Sequence, residues 1–288
     1  MLRLEQMAQK IVIVASELDL ASKNIGKKVQ ELGHFEKAQG MSPYETYRSN
    51  NSYLVWHPKG LVEDDITDLD QYFDPELYVF VFRHLGKANI GRLTVHPTGN
   101  FTLPKQNSPA LYRGKPHRLA YAHPAYMKEA LRFMNQRAKE QGLNYSVSYE
   151  ATHHTPTDLK KPVMFLEIGD TTEQHNDEKA ITITAETALH LLGYQPEPCK
   201  NCIGIGGGHY ADRFTRRALS EDYAFGHFIA SYAMPDVTAE VVEQAIDKTV
   251  GGVKYAIIDS KDQGKSEDRQ RILDVLQKRG IEIVKLSK

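Results

Sequence analysis

Residues Lys10–Ser16 read KIVIVAS, and Asp19 and the helix-spaced set Ala21, Ile25, Val29 and Leu32 follow directly; this stretch decides the fold class. Four β-branched residues in succession, Ile11 to Val14, show no polar alternation, which is the pattern of a strand covered on both faces inside a parallel sheet. Asp19 is placed to cap the helix by accepting amides of its first turn, and Gly33 is placed to end it. A strand leading straight into a helix is how a βαβ sheet begins, so the chain is read as an α/β protein.

The alternation continues outward from that unit. Strands are expected at 52–56, 78–82, 93–96, 145–150, 163–168, 203–205, 255–259 and 281–286. Between them, Met127, Ala130, Leu131, Met134 and Ala138 mark one amphipathic helix with Gly142 as its stop, and residues 181–192 mark another. Thr238 caps a helix that carries Val241, Val242, Ala245 and Ile246, and the last helix holds Ile272, Leu273 and Leu276. The stretch from Thr98 to Pro124, rich in Pro, Gly, Asn and basic residues, is the one long irregular segment, and a loop of that length is functional or disordered. The organisation reads as one α/β unit over residues 1–288, with room for a smaller lobe inserted after about residue 100.

The chain has 288 residues, 41% of them hydrophobic and 25% charged, which is ample for a sizeable core. It contains no apolar run of the roughly 18 residues that a membrane helix needs, and its first twenty residues lack the layout of a signal peptide. The two cysteines, Cys199 and Cys202, sit close together and make no disulfide framework, so a reduced, cytoplasmic protein is expected. They form half of a zinc-ribbon spacing with no second pair, and a structural or inert role is the reading. With 36 basic and 37 acidic residues the net charge is -1, which neither announces nor excludes a nucleic-acid partner.

The histidines are more informative. His84 closes YVFVFRHLG, His96 closes RLTVHPTGN, and Glu150, His153 and His154 fall in EATHHTPTDLKKP. Glu167 and Asp170 end VMFLEIGD, and His209 follows CIGIGGGHY. Imidazoles and carboxylates gathered at strand ends make a mixed nitrogen and oxygen pocket suited to zinc or a similar divalent ion. His96, His153, His154 and Glu167 are the expected metal set, with Glu150 as general base and His209 beside it as a second catalytic residue. For His34, His117 and His190 a surface or hydrogen-bonded role is the reading. The absence of HExxH argues against a zincin peptidase, and the absence of GxSxG favours a water nucleophile over an acyl-enzyme.

Gly206, Gly207 and Gly208 stand between a strand and a helix, where they form either a tight turn or a backbone cradle for a phosphate or oxyanion. Basic residues recur beside the same elements: Lys105, Arg113, Lys115 and Arg118 in the long loop, and Arg213, Arg216 and Arg217 after the glycines. Arg216, Arg217 and Lys105 are therefore read as contacts to a polyanionic substrate.

Four stretches together, IVIVASELDLASKNI, HLGKANIGRLTVHPTGNF, EATHHTPTDLKKPVMFLEIGDTTEQHND and GIGGGHYADRFT, resemble the archaeal and plant D-aminoacyl-tRNA deacylases over nearly the whole chain. The resemblance implies a three-layer α/β/α mixed sheet of the phosphorylase/hydrolase-like group, with a core similar to peptidyl-tRNA hydrolase. It implies hydrolysis of the ester between a D-amino acid and the terminal ribose of tRNA, zinc dependence, and tRNA as partner; a monomer is expected. Chirality would be set by pocket walls against which the L-isomer clashes. Two other readings use the same residues: a different metal enzyme, such as an extradiol dioxygenase or a metallopeptidase, and a tRNA-binding protein without turnover.

Overall fold

The structure, a computed structural model, describes residues 10–62, 66–86, 89–103, 114–262 and 264–286. β1 (Ile11–Ser16) is buried along its whole length, and α1 (Leu20–Leu32) follows it. Asp19 caps α1, its carboxylate accepting the Ser22 amide at 2.8 Å, a contact that contributes about 1 kcal/mol to helix stability. Gly33 closes the helix, its amide donating to Val29 O.

β2 (Glu36–Ala38), β3 (Glu45–Ser49) and β4 (Ser52–His57) form an antiparallel flank, and β5 (Leu77–Arg83) and β6 (Arg92–His96) follow. A short ribbon pairs β7 (Gly99–Asn100) with β8 (Arg118–Leu119), ahead of α2 (Pro124–Glu140), β9 (Ser146–Tyr149) and β10 (Val163–Ile168). The eight-stranded sheet has the order β2-β3-β4-β1-β5-β10-β6-β9. β4, β1, β5 and β10 run parallel, while β6 is antiparallel to β10 and parallel to β9. The sheet is mixed, as expected.

After α3 (Thr172–His175) and α4 (Glu178–Gly193) comes a second, four-stranded parallel sheet, β12-β11-β13-β14. It comprises β11 (Lys200–Ile205), β12 (Tyr223–Ile229), β13 (Tyr255–Ile258) and β14 (Glu282–Lys285), with α5 (Asp212–Ser220), α6 (Ala239–Asp247) and α7 (Ser266–Lys278) between them. This smaller sheet follows residue 199. The chain after residue 103 passes through 104–113, outside the described residues, and then through α2 back into the large sheet.

Period-two alternation sorts the core. Ile11, Ile13 and Ala15 pack with Ile25 and Val29 of α1 and Ile183 and Ala188 of α4; Val12 and Val14 face the other way, into a cluster with Leu61, Ile66, Phe73, Tyr78 and Phe80. In the small sheet Ile203, Ile205, Ala256 and Ile258 pack under α6 and α7, while Cys202, Phe225 and Ile257 join Phe214 of α5 on the opposite face. That arrangement is three-layered, helices on both sides of a sheet. α2 lies against strands of both sheets. Among the described residues no helix is long and apolar enough to cross a membrane.

Candidate active site

One face of the large sheet changes from apolar to polar along four neighbouring strands. Tyr78, Phe80 and Phe82 of β5 share that face, and His84 continues the two-residue spacing; Val163 and Phe165 of β10 lead to Glu167. By the same spacing β6 contributes Thr94 and His96, and β9 contributes Ser148 and then Glu150. All of these polar side chains are buried. Because β6 is antiparallel to β10, His96 pairs with Phe165 and Glu167 with Thr94. His96 and Glu167 therefore meet diagonally across the pair. Each residue of the group lies at the carboxyl end of its own strand, as the sequence reading assumed, but because β6 and β9 run against β10 and β5 those ends do not share one edge of the sheet.

The loop after β9 supplies the rest. Its backbone is stitched to both sides: Gly99 N donates to His153 O and His154 O (3.2 and 2.9 Å), and Ala151 N to His209 O (2.8 Å). Thr98 Oγ1 donates to Pro156 O at 2.6 Å. Held this way, His154 adopts a left-handed backbone with φ 45°, a conformation that costs a non-glycine residue about 1 kcal/mol or more and persists where its surroundings impose it.

The imidazoles of His96, His153 and His154 each put Nδ1 within hydrogen-bond range of a backbone carbonyl: Pro97 O at 3.1 Å, Ala151 O at 2.7 Å and Thr155 O at 2.6 Å. That fixes the rings and leaves the Nε2 atoms turned inward. Ligand-capable atoms of the three lie within 4.8 Å of one another. Glu167 Oε1 is 3.4 Å from His96 Nε2 and 3.8 Å from His154 Nε2. His96 Nε2 is fully buried with no hydrogen-bond partner. Burial, reinforced by the neighbouring imidazoles, holds His153 and His154 below the usual histidine range and hence neutral, although Glu167 pulls His154 the other way. His96 is likewise opposed by burial, but Glu167 and Glu150 prevail and raise it.

Glu150 is the second centre. It is wholly buried, with His84 Nδ1 3.1 Å from Oε1, and His209 Nε2 3.0 Å and His153 Nε2 3.6 Å from Oε2. None of these nitrogens is aligned as a hydrogen bond, so both oxygens keep lone pairs uncommitted. Burial works against the carboxylate's charge; His84 and His209 outweigh it and hold the carboxyl well below its usual range. Glu167 is depressed in the same sense by His96, His154 and His84 against burial. His84 in turn is pushed down by burial and up by Glu150, Glu167 and Asp170, which hold its imidazole at about 9 and protonated at neutral pH. Its Nε2 sits 2.8 Å from the Tyr210 hydroxyl, and Arg92 lies 3.6 Å from the centre of that tyrosine ring.

A family model described as D-aminoacyl-tRNA deacylase matches residues 71–284, a span that contains every residue of this group. The chain is 36% identical to a D-aminoacyl-tRNA deacylase of Thermococcus kodakarensis and 35% identical to one of Pyrococcus abyssi; each match covers 95% of this chain and 99% of the relative. The chain belongs to the D-aminoacyl-tRNA deacylase family. A Methanosarcina mazei member is 34% identical over 96% of this chain and 93% of its own. A crystal structure of a conserved protein of unknown function, AF0625, is 29% identical and has a TM-score of 0.86, covering 96% of this chain and 95% of that one.

In this family member the remaining sequence-predicted residues fall in different places. His209 joins the Glu150 centre. The glycine run is a correction: the Gly206 amide donates to Ile229 O and the Gly207 amide to Asp262 O, both at 2.9 Å, so neither is open to an oxyanion or phosphate. Both have positive φ, and a β-carbon on Gly206 would run into Asp262 O; these glycines make a turn. Gly208 is exposed at its end. Arg216 is exposed, Arg217 pairs with Glu221 at 3.0 Å, and Arg213 is bound to Asp259. With Lys261 these arginines line a cleft of about 290 Å³ that shares no residue with the His/Glu group. Lys105 lies outside the described residues.

Sequence reasoning noticed His84 at a strand end but left it out of the site, and missed Tyr210 and Tyr232. His84 was findable, because it extends the Tyr78, Phe80, Phe82 spacing by one step. The tyrosines carried no comparable signal.

Proposed function

We propose that this chain hydrolyses the ester joining a D-amino acid to the 3′-terminal ribose of tRNA, with a divalent ion, zinc first, held by His96, His153, His154 and Glu167. The observation that carries the metal assignment is the inward convergence of three imidazole nitrogens whose outer nitrogens are tied to backbone carbonyls. Outer-shell bonds of that kind orient histidine ligands and set their tautomer. Three nitrogens and one carboxylate oxygen suit zinc, and the buried, partnerless Nε2 of His96 fits the same purpose. Such an ion, when bound, supplies a Lewis-acid charge that acidifies water and polarises an ester carbonyl.

The chain's own groups do the rest. Glu150, ionised and with uncommitted lone pairs, takes the proton of the attacking water and returns it to the departing ribose oxygen. His209 offers an Nε2–H beside that carboxylate, a hydrogen bond to the oxygen that becomes negative. The protonated His84 behind Glu150 keeps the carboxylate anionic. Its burial makes that charge count for more than it would in water. The cleft of Arg213, Arg216, Arg217 and Lys261 receives tRNA phosphates, contacts that position a substrate without reading its sequence.

The test is incubation of the purified protein with D-Tyr-tRNA and L-Tyr-tRNA, with and without a chelator. Release from the D-form alone, lost on chelation and restored by zinc, is the expected result. Equal rates on both isomers would end the proofreading reading. Full activity in chelator would end the metal assignment. Turnover of catechols or peptides instead would support a different metal enzyme.

A further inference from the structure

Two arms run outward from Glu150. On one, His84 lies against Oε1 and reaches the Tyr210 hydroxyl; on the other, His209 lies against Oε2 and its Nδ1 is 3.3 Å from the Tyr232 hydroxyl. The first arm also meets a carboxylate, Asp170 Oδ1 at 3.4 Å from His84 Nε2, so its imidazole is held by charge. The second meets a phenol. The His209 side chain is 34% exposed, and burial alone does not stop its ring from turning.

Tyr232 is itself 49% exposed, yet it stands on a locked turn. Ser231 N and Oγ both donate to Gly207 O, at 2.9 and 3.0 Å, and the same hydroxyl reaches Asp262 O at 3.1 Å. The glycine turn before His209 and the turn that bears Tyr232 are thus one clasp, closed again by Gly206 N on Ile229 O and Gly207 N on Asp262 O. It sets an imidazole and a phenol side by side at the mouth of a buried carboxylate.

We propose that Tyr232 is a positioning residue for the reaction: its hydroxyl donates to His209 Nδ1 and so holds the ring orientation and tautomer that present Nε2–H beside Glu150. The other tautomer would aim a nitrogen lone pair at the Glu150 carboxylate and at the oxygen gaining negative charge, and a flipped ring would put a carbon where Nε2 stands. Which ring nitrogen carries the proton is set by the bond its partner nitrogen makes. This rests on the roles given above to Glu150 and His209.

The experiment compares Tyr232→Phe and Tyr232→Ala in the full chain with its own metal content. It measures kcat and KM on D-Tyr-tRNA, and separately the nitrogen NMR signature of His209, assigned by its loss in His209→Gln. Tyr232→Phe is expected to lower kcat about tenfold, the scale of one lost hydrogen bond, with KM changed by less than about twofold. The His209 signal should move from a pure Nε2–H form toward a mixture, and Tyr232→Phe should add nothing to the loss already caused by His209→Gln. An unaltered kcat, an unaltered tautomer, or losses that multiply independently would overturn the proposal. So would a rise confined to KM, larger for alanine than for phenylalanine, which would make the ring a stacking surface for substrate. The NMR readout needs no substrate. Wild-type protein inert on D-Tyr-tRNA would therefore count against the activity, whereas a tautomer indifferent to Tyr232→Phe counts against this inference.

Discussion

The His/Glu group and the arginine cleft of α5 are both clusters of charge, and they are built on opposite physical terms. In the first, Glu150, Glu167, His96 and His154 are buried, each within reach of two or more others, and three ring nitrogens are fixed by backbone carbonyls. In the second, Arg216 is exposed and Arg217 pairs with the surface residue Glu221. Burial strengthens every charge interaction and penalises any unmatched group, whereas exposure and salt weaken both the gain and the penalty. The difference separates two jobs. A dry, over-determined cluster can shift protons and hold a metal; a wet one can attract a polyanion and let it go.

That contrast is broken most directly at His154. Its left-handed backbone means that alanine there would test strain together with ligand loss, while glycine accepts the conformation freely. If the group holds the proposed ion, His154→Gly should keep the fold and lower metal content, with activity down by more than about 100-fold, beyond the range for disturbing groups that only orient a ligand. Metal content by elemental analysis, alongside kcat, checks it. A protein that retains both would show that Glu167 and the other two histidines do not depend on His154.

A second buried imidazole sharpens the comparison from the side of stability. His227 on β12 is fully buried; its Nδ1 is 3.2 Å from Thr152 Oγ1, and Nε2 has no hydrogen-bond partner. Burial, with Lys248 adding to it, holds His227 down at about 3, against an ordinary 6.5. Its folded-state pKa is thus lowered. Above pH 6.5 both folded and unfolded forms are neutral there and stability is unaffected; as pH falls from 6.5 toward 3 the unfolded chain takes up a proton that the folded one refuses, and stability is lost. Between pH 6.5 and 5 the loss is about 2 kcal/mol. Denaturant melts of the wild type and His227→Asn, each with chelator present so that metal loss does not contribute, measure it. A pH slope unchanged by the substitution would place the acid sensitivity in His123, or in His153 and His154, which burial holds neutral in the same sense.

How much of this was legible in the sequence follows from the same distinction between buried and exposed surfaces. The expected strand at 163–168 coincides with β10, and the apolar run of β1 and the caps at Asp19 and Thr238 are where the pattern put them, because fully buried strands and helix starts have strong local signatures. β3, ETYRS, was passed over because it is polar and only part buried, and β12, YAFGHFI, because Gly226 and His227 interrupt an otherwise apolar run. At the site, residue types and short spacings were enough to gather His96, Glu150, His153, His154, Glu167 and His209. What they did not reveal is pairing across strands. The antiparallel turn of β6 against β10 brings His96 to Glu167, and that is a long-range fact no local pattern contains. The glycine run misled for a related reason: whether an amide is free depends on carbonyls at Ile229 and Asp262, far along the chain.

The smallest expected effect lies at the wet end of the comparison. If the cleft of Arg213, Arg216, Arg217 and Lys261 takes tRNA phosphates, its residues should not contribute equally. Arg213 is committed to Asp259, and Arg217 is shared with Glu221 and packed 5.1 Å from the Tyr223 ring, while Arg216 is exposed. Arg216→Gln should therefore raise KM a few-fold for any tRNA and reduce the slope of log affinity against log salt by about 1. Arg217→Gln should do less, because its charge is already part-neutralised and surface pairs are worth little. Neither should change kcat on saturating substrate, since uniform binding affects KM alone. Steady-state kinetics on two unrelated D-aminoacyl-tRNAs at low and moderate salt decide it. A KM and salt slope untouched by Arg216→Gln would show this face to be merely solvated and would leave the basic loop around Lys115 and Arg118 as the place to look. Those two are themselves paired with Asp158, both at 2.7 Å, so reading that loop would require the double substitution, which frees Asp158 and leaves a net negative patch where a phosphate was to sit.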